Sequence, residues 1–179
     1  MLSPATTRRS RATGLDRLKD SRLLKEFAYI DGGWQASASG RVLSVTDPGD
    51  GNWIGQIPAL TAAEVGRAIA AADRAFGAWA SLLPQERSKL LRQWHDQIVA
   101  HRDDLAVLMT LEQGKPLSEA RGEIDYAASF VEFFAEETKR ANIESVTAHL
   151  AGAGMSLCRQ PMGVAVLVTP WKFPSAMIT

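Results

Sequence analysis

The run Gly163–Thr179, GVAVLVTPWKFPSAMIT, constrains this chain most. Val164, Val166, Leu167 and Val168 form a β-branched, uncharged segment, the pattern of a parallel strand covered on both faces. Pro170 and Pro174 then break the chain, and Pro174 suits the first position of a helix. Ligands of open α/β sheets bind past the carboxyl ends of such strands. Thr169, Pro170, Trp171, Lys172 and Phe173 are therefore expected at a ligand crevice.

The rest of the 179 residues must supply what surrounds that strand. Asp16 to Glu26 reads as a short helix burying Leu15, Leu18 and Leu23. Short strands follow. Phe27 to Ile30 and Trp34-Gln35 flank the hairpin turn Asp31-Gly32-Gly33, and Arg41 to Thr46 and Trp53 to Ile57 continue a small antiparallel patch.

Four helices come next. Thr61 and Glu64 form a capping box ahead of the stripe Val65, Ala68, Ile69, Ala72, Phe76 and Trp79. Pro84 starts a second helix with Leu90, Leu91, Trp94 and Ile98 on its apolar face. Asp103 is expected to cap a third, which buries Leu105, Leu108 and Met109 and ends at Gly114-Lys115-Pro116. The fourth is expected from about Pro116 to Arg140, burying Leu117, Ile124, Ala127, Ala128, Val131 and Phe134. Ser156 to Gln160 reads as a strand before the kink Pro161 to Gly163.

Composition removes several classes of function. Lys plus Arg and Asp plus Glu number 20 each, so no net field calls for nucleic acid or an acidic membrane. No apolar run is long enough to span a bilayer. The single cysteine, Cys158, excludes an internal disulfide and suits a reducing compartment; it is read as a buried small residue. His95, His101 and His149 show no metal-ligand spacing, and no metal site is expected. Residues 1–14 carry Arg8, Arg9 and Arg11 and no acid. Two readings stand: a disordered basic tail on a cytoplasmic protein, which is preferred, and an organelle transit peptide, which would send the protein to mitochondria.

Several motifs carry a family likeness. The segment Leu108-Met109-Thr110-Leu111-Glu112-Gln113-Gly114-Lys115-Pro116-Leu117 resembles a helix end of the aldehyde dehydrogenases. Gly122-Glu123-Ile124 through Phe133-Phe134-Ala135-Glu136-Glu137 looks like the succinate-semialdehyde branch, and Arg159 to Val164 and Thr169 to Pro174 are similar to the family's turn. The likeness runs from about Leu18 onward. It implies an α/β, aldehyde-dehydrogenase-like fold: residues 15–179 as the amino-terminal part of the domain, with helices, a small antiparallel patch and the first strand of a parallel dinucleotide-binding sheet.

The resemblance further implies NAD(P)-dependent oxidation of an aldehyde, with succinate semialdehyde as the expected substrate, NADP or NAD as cofactor, and a homo-oligomer. A different aldehyde substrate is one alternative. A non-catalytic fragment that joins full-length subunits, through the family's projecting oligomerisation strands at Ser156 to Gln160, is another. By resemblance, Val168, Thr169, Pro170, Trp171 and Lys172 border the cofactor, and Tyr126, Phe130, Phe133 and Phe173 line the substrate tunnel. Lys172 stands where the family has the asparagine that stabilises the oxyanion. The family's thiol nucleophile and general-base glutamate lie beyond Thr179, so the chain alone is expected to be inactive. Glu112 and Lys115 are read as a solvated helix end.

Overall fold

Local sequence signals account for most of the element boundaries. The computed structural model describes residues 10–140 and 143–179. Strands β1 (Ala28–Ile30) and β2 (Gly33–Gln35) pair antiparallel, with Ile30 opposite Gly33. Their turn puts Asp31 at φ 52° and Gly32 at φ 79°, the positive pair that a tight hairpin requires. Strands β3 (Val42–Thr46) and β4 (Trp53–Pro58) form a second hairpin with a register shift between Val45 and Thr46.

The four helices are α1 (Ala62–Ser81), α2 (Pro84–Ala100), α3 (Arg102–Gln113) and α4 (Leu117–Glu137). A third hairpin joins β5 (Ile143–Val146) to β6 (Met155–Cys158). Each sheet has two strands, and no described helix is long and apolar enough to cross a membrane.

The α1 capping box is present in full. The Glu64 N–H donates to Thr61 Oγ1, and the Thr61 N–H donates to Glu64 Oε2 at 2.7 Å. Pro84 opens α2 as expected, because a first-turn residue needs no N–H partner. Gly114 closes α3 in the left-handed region at φ 79°, its N–H returning to Thr110 O at 2.8 Å.

The core lies between α3, α4 and the amino-terminal segment. Leu15, Ile54, Val107, Leu108 and Leu111 make one cluster; Ala106, Met109, Ala120 and Ile124 make another. Ala127, Ala128, Val131 and Ala135 complete the buried face of α4. Small side chains on that face let α2 and α3 approach the helix closely.

Several expectations are corrected. The segment Asp16 to Glu26 forms two 3-10 turns, Thr13–Arg17 and Ser21–Leu23, in place of one helix. Asp20 accepts the Arg22 N–H and breaks the run, an alternative that aspartate offers the backbone readily. The disordered tail expected over residues 1–14 does not hold for residues 10–14, because Ser10 and Ala12 hydrogen-bond to Trp53 and Ala12 is buried in the core. Arg8 and Arg9 lie outside the described residues.

The cap of α3 differs too. Asp103 does not cap the helix; it accepts from Arg121 Nε at 2.9 Å, and that bond lowers its pKa. Asp104 is the buried acid, accepting the N–H groups of Lys19 and Asp20, each at 3.0 Å. Phe134 is 54% exposed, and Ala135 takes its place in the core. A helical step is about 100°, so a residue one position along points well away from the buried stripe. The α1 stripe is formed but uncovered: Val65, Ile69 and Trp79 are all exposed.

The expected strand at Val164 to Val168 has no ladder partner among the described residues. Val166 is 73% exposed and Val168 92%. A strand is defined by its hydrogen-bonded neighbours, and local β-propensity cannot supply them. The helix expected from Pro174 is reduced to one turn, with the Met177 N–H donating to Phe173 O at 3.0 Å. Cys158 is exposed on β6 and not buried.

Candidate functional site

Three residues at the junction of α3 and α4 hold the turn that follows Pro170. Gln113 ends α3, and its Nε2 donates to Trp171 O and, at 2.9 Å, to Lys172 O. Lys115 lies in the short link between the helices. Its Nζ pairs with Glu123 and donates to Lys172 O at 3.1 Å. Glu123, on the second turn of α4, accepts the Ser175 N–H at 3.0 Å and the Ala176 N–H at 3.4 Å.

This reverses the expectation for Lys115. Its side chain is 12% exposed and that of Glu123 is 2% exposed, so the lysine is half of a buried ion pair and not part of a solvated end. Glu112 is half-buried as well, and burial pushes its carboxyl above the ordinary value. Sequence reasoning left Gln113 and Glu123 without a role. A signal for Glu123 existed: it lies four residues before Ala127 and eight before Val131, on the apolar stripe of α4. An acid there must find partners or lose its charge.

The turn separates two clefts. One, of about 240 Å³, is lined by Leu105, Leu108, Met109, Glu112, Gln113 and Trp171 among others. The other, of about 310 Å³, is lined by Lys115, Glu123, Tyr126, Lys172 and Phe173 together with Glu119 and Gly122. Trp171 and Lys172 are exposed. The Phe173 ring is near two cations, 4.6 Å from Lys115 Nζ and 5.6 Å from Lys172 Nζ.

The structure therefore brings some of the candidate residues together. Tyr126 and Phe173 share a cleft, and Phe130 packs at a tilt against Tyr126 with centroids 4.6 Å apart. Phe133 continues the same exposed face of α4, paired with Phe134 and away from the cleft lining. Val168, Thr169 and Pro170 are exposed and line neither cleft.

Chemically, the turn presents an indole, an ammonium and apolar surface on an anchored backbone. Among the described residues no group of acids, histidines and cysteine can hold a metal ion. Cys158 lies on the β5–β6 hairpin and lines neither of these clefts. His95 bonds to its neighbour Asp96 and has no nucleophile to activate.

Four helices packed beside two-stranded antiparallel hairpins, with an unpaired apolar run and a proline turn held against α3 and α4, make up part of an α/β-type domain. The sequence model described as the aldehyde dehydrogenase family matches residues 34–179, and the chain belongs to that family. It is 48% identical to the glutarate-semialdehyde dehydrogenase of Pseudomonas aeruginosa over 163 residues, which cover 91% of this chain and 34% of the relative. Identity and coverage are the same for the NADP(+) succinate-semialdehyde dehydrogenase of Escherichia coli. The crystal structure of succinate-semialdehyde dehydrogenase from Burkholderia pseudomallei superposes with a TM-score of 0.86 at 46% identity, covering 90% of this chain and 33% of that one. The chain thus spans about a third of the length of the relatives it matches.

Proposed function

We propose that this chain serves as the amino-terminal portion of a semialdehyde dehydrogenase, oxidising succinate semialdehyde with NADP or NAD. The observation that carries the reading is the anchored turn: Gln113, Lys115 and Glu123 fix its backbone while Trp171 and Lys172 remain exposed. NADP is the cofactor named for the Escherichia coli relative, and both curated relatives described above are named for aldehydes that carry an acid group.

The residues present suit one edge of a dinucleotide. Val168 and Trp171 offer apolar and aromatic surface, and Lys172 offers a cation for an anionic group. Bound there, the cofactor supplies the hydride acceptor. Lys172 stands where a donor would meet the oxygen that gains charge when the aldehyde carbon is attacked, a contact worth roughly 2.7–4 kcal/mol in the transition state; its longer, charged side chain makes it a poorer donor there than an amide. Phe173 and Tyr126, with Phe130 packed against Tyr126, line the approach of the aldehyde, and Phe133 lies further along the same face of α4. The sole thiol, Cys158, stands on a hairpin outside the two clefts, so residues 1–179 alone give no turnover.

A second reading has its own observation. Among the described residues both strands of the β5–β6 hairpin carry unpaired edges, and Met155 to Cys158 are exposed throughout. Such an edge is a template for another chain. A non-catalytic role, joining the hairpin to full-length subunits, follows from it.

A chimera tests the first reading. Residues 18–179 replace the matched third of the Escherichia coli relative, and the product is assayed with succinate, glutarate and aspartate semialdehydes. Turnover with NADP or NAD is expected for succinate semialdehyde above the others. A chimera that folds but oxidises none of them, with Lys172 or with Lys172→Asn, overturns it.

A further inference from the structure

We propose that Glu123 is a positioning residue, capping the turn Phe173–Thr179 from a neighbouring helix, and that Lys115 couples this cap to the carbonyl of Lys172. The turn is a single helical turn. Its first internal bond runs from the Met177 N–H to Phe173 O at 3.0 Å, so the amides before Met177 have no partner within it. Pro174 has no N–H, which leaves Ser175 and Ala176. Glu123 Oε1 accepts both, at 3.0 and 3.4 Å. A side chain some fifty residues away thus does what an N-cap residue does from within its own helix.

The second oxygen of the carboxylate carries the coupling. Glu123 Oε2 pairs with Lys115 Nζ, and the same ammonium donates to Lys172 O at 3.1 Å. Lys172 O also accepts from Gln113 Nε2 at 2.9 Å, so both lone pairs of that carbonyl are used. Any contact that residue 172 makes with a ligand must therefore come from its side chain or its N–H. The cap fixes the backbone on the carboxyl side of Phe173, and the lysine and glutamine fix it on the amino side. Lys172 is left with a defined Cα and an exposed side chain near the Phe173 ring.

The backbone statement stands on these contacts alone. Its consequence for catalysis, that Glu123 sets where Lys172 points, rests on the function proposed above. Amide hydrogen exchange on the 179-residue chain, read residue by residue, tests the first. Lys115→Met combined with Glu123→Leu removes every polar contact that this pair makes to the turn, leaving the Gln113 bonds in place and no unpaired buried charge. The Ser175 and Ala176 amides should then exchange roughly tenfold faster or more, the scale of losing bonds to a charged acceptor, while Ala127 and Val131 on α4 keep their rates. Lys115→Met combined with Glu123→Gln restores an acceptor and should return protection to Ser175 and Ala176. Unchanged exchange at those two amides overturns the proposal, as does an equal rise along α4 or a failure of glutamine to rescue. In an active chimera, the Leu variant should lower kcat and leave KM for the dinucleotide nearly unchanged. An inactive chimera sinks the dehydrogenase reading and leaves the exchange result standing.

Discussion

Glu64, in the first turn of α1, accepts a 2.6 Å hydrogen bond from the backbone N–H of Ala38. The same carboxylate takes the Thr61 N–H at 2.7 Å, the Thr61 hydroxyl at 2.8 Å and the Ser37 hydroxyl at 3.1 Å. A capping acid thereby also closes the loop that precedes β3.

Those bonds set a pH dependence. The Thr61 N–H first, then the Ala38 N–H, lower the Glu64 pKa from 4.5 to about 2. A group with a depressed folded pKa contributes stability that is present above its unfolded value and lost as pH falls through the folded one. The melting temperature of the native chain should exceed that of Glu64→Gln at neutral pH, and the gap should shrink between 4.5 and about 2. A gap that stays constant across that window contradicts the assignment.

Gly114→Ala tests the end of α3. The position has φ 79°, and an added Cβ would lie 3.1 Å from Pro48 Cγ. The left-handed conformation alone costs a non-glycine residue roughly 1–2 kcal/mol, and the proline ring must also shift. Denaturant unfolding should show a loss of at least that size. A neutral substitution would mean that α3 ends differently in solution.

Asp104→Ala should be among the more damaging changes in α3, and Asp103→Ala among the milder. Asp104 is buried and holds the N–H groups of Lys19 and Asp20, whereas Asp103 is half exposed. Orphaned buried groups cost roughly 1–3 kcal/mol each. Equal effects of the two substitutions, measured by urea unfolding, would reject the difference in role.

In the chimera with the Escherichia coli relative, Lys172→Asn should raise kcat by roughly 10² or more, the scale of one oxyanion donor. KM should move less, because the donor acts on the transition state. A lysine form as fast as the asparagine form would show that the ammonium, held near the Phe173 ring, reaches the oxygen as well as an amide does.

Residues 162–168 should make the isolated chain associate. Met162, Val166, Leu167 and Val168 are all exposed and have no strand partner among the described residues, and an uncovered apolar extended segment is a pairing template. Val166→Lys with Val168→Lys should lower light scattering at equal concentration without changing the helical circular dichroism. Scattering that is unchanged points to another surface, such as the exposed stripe of α1.

Relationships within a few residues were legible from the sequence. The Thr61–Glu64 box, Pro84 at the start of α2, Gly114 at the end of α3 and the Asp31-Gly32 hairpin each depend on backbone geometry that one short segment satisfies by itself. The family motifs were legible for the same reason, as contiguous runs.

Tertiary structure decided which of two adjacent acids was buried. Asp103 and Asp104 are equivalent as local caps, and only the arrival of the Lys19-Asp20 backbone separates them. It also turned Lys115 from a helix-end cation into the partner of Glu123, since Ser175, Ala176 and Lys172 had to come alongside before either charge could be sheltered. At Val164 to Val168 the dependence runs the other way. Side-chain pattern alone favours a strand there, but pairing needs donors and acceptors from another strand, and none of the described residues brings them. Propensity is a property of a residue and its neighbours in sequence; burial and ladder pairing belong to whatever the fold places across from it.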